Sequence, residues 1–159
     1  MLFRSIDNSA DHGPPTAAES KAAQRLALSA GDQQVKRQKM GNLQHNKTIV
    51  VEGKTLKAAL CGSTNFSWRG QFVQANNALV VHGKKAIRPF LDAFEAYWQH
   101  DSAKEFGHTP STGWQSLGLA GIDAQITFSP HSKEGGVLQS VANDILSTTS
   151  SLFYSLAFL

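Results

Sequence analysis

The alternation of apolar and polar positions predicts a chain of short strands and helices. β-prone apolar runs lie at residues 2–7, 48–51, 56–61, 77–82 and 123–128, and helix-forming stretches lie at 17–30, 84–98 and 134–147. Gly31 is a plausible stop for the first helix. This order predicts an α/β fold with a mixed sheet flanked by helices.

Two helices have apolar stripes that predict their buried faces. Because proline is tolerated only in the first turn of a helix, Pro89 places the start of the second helix near Ile87 or Arg88. The predicted buried positions are Ile87, Phe90, Leu91, Phe94 and Trp98 in the second helix, and Val137, Val141, Ile145 and Leu146 in the third.

The two central strands are separated by a turn at residues 52–55. Gly53 at the first central position fits a tight two-residue turn of type II′, with Gly53 and Lys54 as the loop. That register places Val51 opposite Leu56, Lys47 opposite Leu60 and His45 opposite Gly62.

Residues 152–159 form a nearly continuous apolar run, which is typical of a strand buried on both faces and suggests a chain continuing into a longer protein or pairing with a partner.

Composition narrows the class of protein. The chain has 159 residues, of which 41% are hydrophobic and 17% charged, with one cysteine, Cys61. A single cysteine cannot form an internal disulfide, and no apolar run reaches the ~20 residues that span a bilayer. The N-terminus lacks the pattern of a secretory signal. We therefore expect a cytoplasmic protein, with peripheral association at a membrane surface as an open alternative.

Charge is concentrated in the middle of the chain. Seven basic residues lie between Lys36 and Arg69, against a single acid, Glu52, whereas acids outnumber bases from Asp92 onward. This segment predicts a positive surface that either is simply solvated or attracts a phosphate-bearing ligand.

The candidate chemistry lies where the first central strand begins and the second ends. His45 and Lys47 are two residues apart, so on a strand both side chains point to one face. Gly62 leaves room for a phosphate, and Ser63 and Asn65 supply hydrogen bonds. A phosphodiester needs positive charge or donors on its oxygens and an uncharged nucleophile, which neutral His45 provides. This chemistry requires no metal and no cofactor.

The segments 45–47 and 62–67 resemble the HxK(x)4D…GSxN signature of the phospholipase D superfamily, and residues 74–81 are similar to the strand that follows it. The resemblance covers about 43–98, and residues 126–131 with the apolar end resemble the start of a second half. It implies a first phospholipase D-like half at 1–120 and a truncated second half at 121–159. It also implies that His45 is the nucleophile, that Lys47 and Asn65 bind phosphate, and that Ser63 supports the site.

The chain departs from the family pattern at several positions. Glu52 stands where the family has aspartate, and Asn76 stands where some short nucleases have a glutamate that orients the histidine. Arg69 either binds a phosphate or head group, or is a solvated arginine beside a packed Trp68. The triplet at 131–133 also matches HxK, but neither an apolar strand nor a GSxN motif follows, so we interpret it as a chance match.

With one complete motif, activity requires a second HxK half, either from a missing C-terminal region or from a homodimer partner. The leading hypothesis is a phosphodiester hydrolase acting through a phosphohistidine on phospholipid or nucleic acid, with a phospholipase D-like enzyme preferred. The alternatives are a dimeric nuclease of the same superfamily and a noncatalytic half that binds phosphate.

Overall fold

A computed structural model describes residues 3–41, 45–132 and 136–153. The strands are β1 (Arg4–Asp7), β2 (Val35–Gln38), β3 (Thr48–Glu52), β4 (Lys57–Gly62), β5 (Ala78–His82), β6 (Gln115–Ser116) and β7 (Gln125–Ile126). The α-helices are α1 (Ala18–Ala30), α2 (Trp68–Phe72), α3 (Lys84–Gln99), α4 (Ala103–Phe106) and α5 (Val137–Leu146). Short 3₁₀ helices lie at Asp32–Gln34 and Pro110–Thr112. The predicted mixed α/β fold is confirmed.

The strands of the described residues form three small sheets. β1 and β2 pair in parallel and are joined through α1, while β3, β4 and β5 form an antiparallel sheet in that order. β6 and β7 form an antiparallel pair. Gly31 ends α1 with a φ of 97°, a conformation that glycine adopts without strain, so the chain can turn back towards β2.

The core lies between α3 and the three-stranded sheet and extends to the segments after α3. Ile87, Phe90 and Phe106 are fully buried. Phe90 meets Phe128 edge to face with ring centroids 5.5 Å apart, so residues beyond 120 pack into the same core as the sheet. Tyr97 of α3 stacks on Phe106 with centroids 3.9 Å apart.

The prediction for α3 needs two corrections. The helix begins at Lys84, not near Ile87, because Gly83 precedes it with a φ of 106° and its carbonyl accepts the amide of Ile87. Pro89 therefore lies inside the helix. The buried face contains Ala86, Ile87, Phe90, Ala93 and Tyr97, while Phe94 and Trp98 lie at its margin, half-buried and stacked on each other at 5.9 Å.

The predicted register of the central hairpin is wrong by two residues. Thr48 pairs with Cys61 and Val51 with Ala58, and the amide of Gly53 donates to the carbonyl of Leu56 across a longer turn. The turn therefore holds four residues, not two. A shift of two keeps every side chain on its predicted face, but Gly62 is no longer opposite His45.

The C-terminal third differs from its predictions. Residues 101–121, where no strand or helix was predicted, contain α4, a 3₁₀ turn and β6, and the strand expected at 123–128 shrinks to β7. The predicted buried stripe of α5 is wrong beyond Val137, since Val141, Ile145 and Leu146 are exposed. The strand predicted at 152–159 falls mostly outside the described residues. Within the described part of the chain, no helix combines the length and the apolarity needed to span a bilayer.

Phe106→Ala tests the position of the core. Phe106 has no exposed surface, so we expect the variant to lose about 3–5 kcal/mol of unfolding free energy, measured by urea denaturation. The matched control is Phe72→Ala, whose ring is 72% exposed and whose loss should stay below about 1 kcal/mol. Equal losses in the two variants would contradict this core.

Candidate active site

His45 and Lys47 lie in an extended segment directly before β3. His45 is exposed, whereas Lys47 is 8% exposed and its Nζ donates to the backbone carbonyl of His45 at 2.6 Å. A buried ammonium requires a partner, so this hydrogen bond fixes the main chain at the histidine. Since an ammonium has three N–H groups, Lys47 keeps further donors for an anion beside His45.

The electrostatic surroundings favour a neutral imidazole. Partial desolvation of this otherwise exposed ring lowers the pKa of His45 below its usual value, the Lys47 ammonium and His12 lower it further, and Asp7 opposes them. Burial also lowers the pKa of Lys47. At neutral pH His45 is therefore mostly unprotonated, as a nucleophile must be.

The segment after β4 begins at the same end of the hairpin, because Cys61 pairs with Thr48. Ser63 donates to the Asn76 side chain at 3.2 Å and accepts the amide of Asn77 at 3.0 Å. The Asn76 amide group donates to the carbonyl of Gly70 at 2.9 Å. Both predicted support residues thus hold the connection from β4 to β5 in place. No contact of Asn76 with His45 occurs among the hydrogen bonds of the described residues.

A glycine is required at position 62 for a different reason from the one predicted. A Cβ at this position would lie 2.3 Å from the carbonyl oxygen of Asn77, so the glycine is required by the close approach of the β5 backbone. The expected space for a phosphate at Gly62 is therefore occupied by protein. Gly70 is similarly required, since its Cβ would lie 2.2 Å from the carbonyl oxygen of Asn65.

Asn65 and Arg69 lie on the loop and short helix that follow. Asn65 is half-buried and its carbonyl accepts the amide of Ser67; its side chain forms no hydrogen bond within the described ranges. Arg69 is exposed on α2. Of the two alternatives for this segment, the one with a packed Trp68 is wrong, because the Trp68 side chain is 69% exposed. Large apolar side chains are exposed around this loop: Phe66, Trp68, Phe72, Val73, Leu79 and Val80.

Several residues of the basic segment serve the fold. Lys36 pairs with Asp101 at 2.7 Å, and Arg37 donates to the backbone carbonyls of Asp7 and His12 and to the Ser20 hydroxyl. Lys57 donates to the carbonyl of Gly53. The predicted positive surface is therefore smaller than the sequence count suggests.

Tyr97, Asp7 and His12 are residues near the site that the sequence analysis did not single out. The Tyr97 hydroxyl donates to the carbonyl of Ser129 and is hydrogen-bonded to the Asn46 side chain, between the two motif residues. Burial raises the pKa of Tyr97 to about 12, so it stays protonated.

The second HxK triplet is only partly described. His131 shares a 2.9 Å hydrogen bond between its Nε2 and the Thr127 hydroxyl, while Lys133 lies outside the described residues. The interpretation of the triplet at residues 131–133 as a chance match stays a prediction. Across the described ranges, no three His, Cys, Asp or Glu side chains gather as a metal site would require.

Gly62→Ala tests how the motif loop is held. The added methyl group cannot fit against Asn77, so we expect a loss of about 1–3 kcal/mol in unfolding free energy. The control is Gly113→Ala, where the Cβ would lie 3.5 Å from the carbonyl oxygen of Pro110, an ordinary contact. If both variants unfold at the same urea concentration, the tight approach of β4 and β5 is refuted.

The comparisons with known proteins agree with the motif. Residues 5–98, more than half of the chain, match the family described as "Cardiolipin synthase, PLD-like domain". No curated protein and no solved structure matches. The matched range contains most of β1, all of β2 to β5, most of α3 and both parts of the motif. The chain therefore belongs to this phospholipase D-like family, which supports a phosphodiesterase-type function.

Proposed function

We propose that this protein hydrolyses phosphodiesters through a covalent phosphohistidine at His45. The observation that carries the proposal is an exposed imidazole, kept neutral, whose backbone carbonyl accepts from a buried ammonium within a phospholipase D-like domain. Exposure gives a substrate access to the ring. The ammonium places positive charge where the phosphate oxygens would lie.

The reaction has two displacements. A ring nitrogen of His45 donates its lone pair to phosphorus, and the bond from phosphorus to the leaving oxygen breaks as that oxygen takes a proton from a general acid. Water then attacks the phosphohistidine and gives its proton to the same group, and the phosphorus–nitrogen bond breaks. Lys47 and Asn65 stabilise the charge on the nonbridging oxygens in both steps, and no metal is needed.

The proposed site is open on one side, which supports pairing with a second half. His45 is exposed, and the apolar side chains around the Asn65 loop are exposed as well. Apolar residues exposed together beside a reactive group are typical of an interaction surface. We propose that a second copy of the HxK motif, from a partner copy or from further chain, covers this face and supplies the general acid.

The commitment of Lys36, Arg37 and Lys57 to structural contacts favours a phospholipid over nucleic acid. Nucleic-acid binding depends on cations that are free to contact several phosphates along a backbone. Here those three cations hold protein carbonyls or carboxylates instead. A phosphatidyl substrate presents a single phosphodiester, which Lys47 and Asn65 suffice to bind. The dimeric nuclease remains the second candidate.

Loss of the nucleophile tests the mechanism. We expect His45→Ala to abolish hydrolysis of bis(p-nitrophenyl) phosphate, because no other group takes its place. The matched control is His82→Ala, which removes an exposed histidine on β5 and should leave the rate unchanged. The rate should persist in excess EDTA. Since His45 must be neutral to attack and its pKa is lowered, the acid limb of kcat/KM should lie below about pH 6.5, and loss of the proton from the general acid should give a separate limb at higher pH. Turnover by His45→Ala equal to wild type would refute the mechanism.

Mixtures of wild type and His45→Ala test whether a second copy of this chain supplies the second HxK motif. If two copies pair and each must supply His45, an equal co-refolded mixture of wild type and His45→Ala should keep about a quarter of the all-wild-type activity. If one chain suffices, the mixture keeps about half. Light scattering on the same samples gives the number of copies, and a linear dependence on the wild-type fraction would contradict pairing of two copies of the motif.

A further inference from the structure

The geometry points to the free edge of β5 as the surface on which a second copy of this chain pairs, strand against strand and antiparallel. β5 is the last strand of the antiparallel sheet, whose order is β3, β4, β5. Its pairing with β4 uses one side of the strand and leaves the other side open. This contact goes beyond the proposed reaction at His45 and does not depend on it.

The hydrogen bonds between β4 and β5 determine which backbone groups are left over. The amide of Ser63 donates to the carbonyl of Asn77 at 3.0 Å, and the amide of Gly83 donates to the carbonyl of Lys57 at 2.9 Å. In an antiparallel pair, positions that bond to the neighbouring strand alternate with positions whose amides and carbonyls point away from it. The odd-numbered positions of β5 therefore bond to β4.

The even-numbered positions of β5 point their backbone groups outwards. These positions are Ala78, Val80 and His82. Within residues 3–41, 45–132 and 136–153, no strand pairs with this side of β5, and no backbone hydrogen bond reaches these three positions. A row of alternating amides and carbonyls along an extended strand matches the edge of another strand, so the partner that fits here is itself a strand.

The side chains of β5 do not protect this edge. Natural sheets block their edges with charged residues, prolines or bulges. β5 contains no acid, lysine, arginine or proline, it pairs with β4 without a bulge, and Leu79 and Val80 are 66% and 53% exposed. The strand at the opposite edge of the sheet, β3, ends in the acid Glu52. β5 is therefore the edge that favours association.

This edge is complementary to itself, which is the reason for choosing a second copy as the partner. Antiparallel pairing about a twofold axis at Val80 places Val80 opposite Val80 of the partner subunit and Ala78 opposite His82 of the partner subunit. The outward positions then exchange about six backbone hydrogen bonds. Because β5 has no formal charge apart from a protonated histidine, no like charges meet at the axis. A twofold contact of this kind closes after two copies.

The same register covers exposed apolar surface. Leu79 would lie opposite Val81 of the partner subunit, and the side chains of such a pair approach closely. Val81 packs against the core, so the contact extends the apolar face between the sheet and α3. Five residues from each copy bury less than the roughly 1,200 Å² of a standard interface, so we expect a dimer that dissociates on dilution.

Edge pairing is separate from the contact proposed to complete the active site. Gly62 pairs with Ala78, so the motif end of β4 lies beside the start of β5. In an antiparallel partner the corresponding end lies at the far end of β5, which keeps the two copies of His45 apart. The exposed aromatic side chains of α2, Trp68 and Phe72, are left free to contact a second HxK motif.

Val80→Pro tests the edge, because proline removes an outward amide without removing a hydrogen bond to β4. At a concentration where wild type associates, we expect the weight-average mass from light scattering to fall by about half. If Val80→Pro does not fold, Val80→Lys decides, since the twofold axis would place two ammonium groups side by side. The matched control is Ile49→Lys, a 49% exposed position in the same row of the sheet, which should keep the wild-type mass. A wild-type mass in the Val80 variants would overturn the inference.

Val80→Cys tests the register. The twofold axis places the two introduced thiols opposite each other, with Cα atoms about 5.5 Å apart, a separation that a disulfide spans. Made together with Cys61→Ala to remove the native thiol, this variant should form a covalent dimer on mild oxidation, with the two introduced cysteines joined in the peptide map. Ile49→Cys in the same background is the control and should stay monomeric on a non-reducing gel. Equal cross-linking of the two variants would contradict the register.

Amide hydrogen exchange distinguishes a second copy from coverage of the edge within one chain. We expect protection of the Val80 amide to rise with protein concentration, while the Leu79 amide, which bonds to β4, is protected at every concentration. Protection of Val80 that does not change with concentration would mean that one chain covers its own edge, and fast exchange at all concentrations would mean that nothing covers it. Either result would refute pairing of two copies.

These readings separate edge pairing from the proposed function. Light scattering, cross-linking and exchange report on β5 whether or not the protein turns over a substrate. Full activity in His45→Ala would count against the proposed function and leave edge pairing intact, whereas an unchanged mass in the Val80 variants would count against edge pairing alone.

Discussion

The position of the site depends on one buried tyrosine. Tyr97 stacks on Phe106 in the core, accepts the Gln38 side chain at its backbone carbonyl, and is hydrogen-bonded to Asn46 and Ser129 through its hydroxyl. β2, the motif segment and the residues beyond 120 therefore meet at this one residue. Because Tyr97 and Gln38 are buried, leaving their polar groups without partners would be costly.

The two parts of the motif have different kinds of support. The loop after β4 is held by backbone packing and short polar contacts, in which Gly62 and Gly70 leave no space for a side chain. The histidine segment is held by the Lys47 ammonium and by Asn46. A closely packed loop and a tethered but exposed imidazole suit the proposed reaction at phosphorus, in which the anion must be fixed while the nucleophile remains accessible.

The sequence predicts the strands and helices that have strong local signals. The helix 17–30 ends at Gly31 as expected, and the strand at 77–82 differs from β5 by one residue. β2 was missed because Val35–Gln38 carries three long polar side chains whose partners are distant in sequence: those of Lys36 and Gln38 lie about 60 residues away in α3 or beyond, and those of Arg37 lie 17 to 30 residues earlier. The error in hairpin register has a similar origin, since a glycine fits several turn types and only the pairing with β5 distinguishes them.

The proposed site was predictable only in part, because a motif is visible in the sequence but the distant contacts that support it are not. His45, Lys47 and Asn65 are visible as a spaced motif, but part of the support for the histidine segment comes from Tyr97, a residue with no motif of its own. The most direct measurement of the account is mass spectrometry of the protein quenched during turnover of a phosphodiester. We predict a phosphoryl adduct on the peptide that contains His45, absent from His45→Ala; an adduct on a different residue, or steady turnover with His45 never modified, would contradict the account.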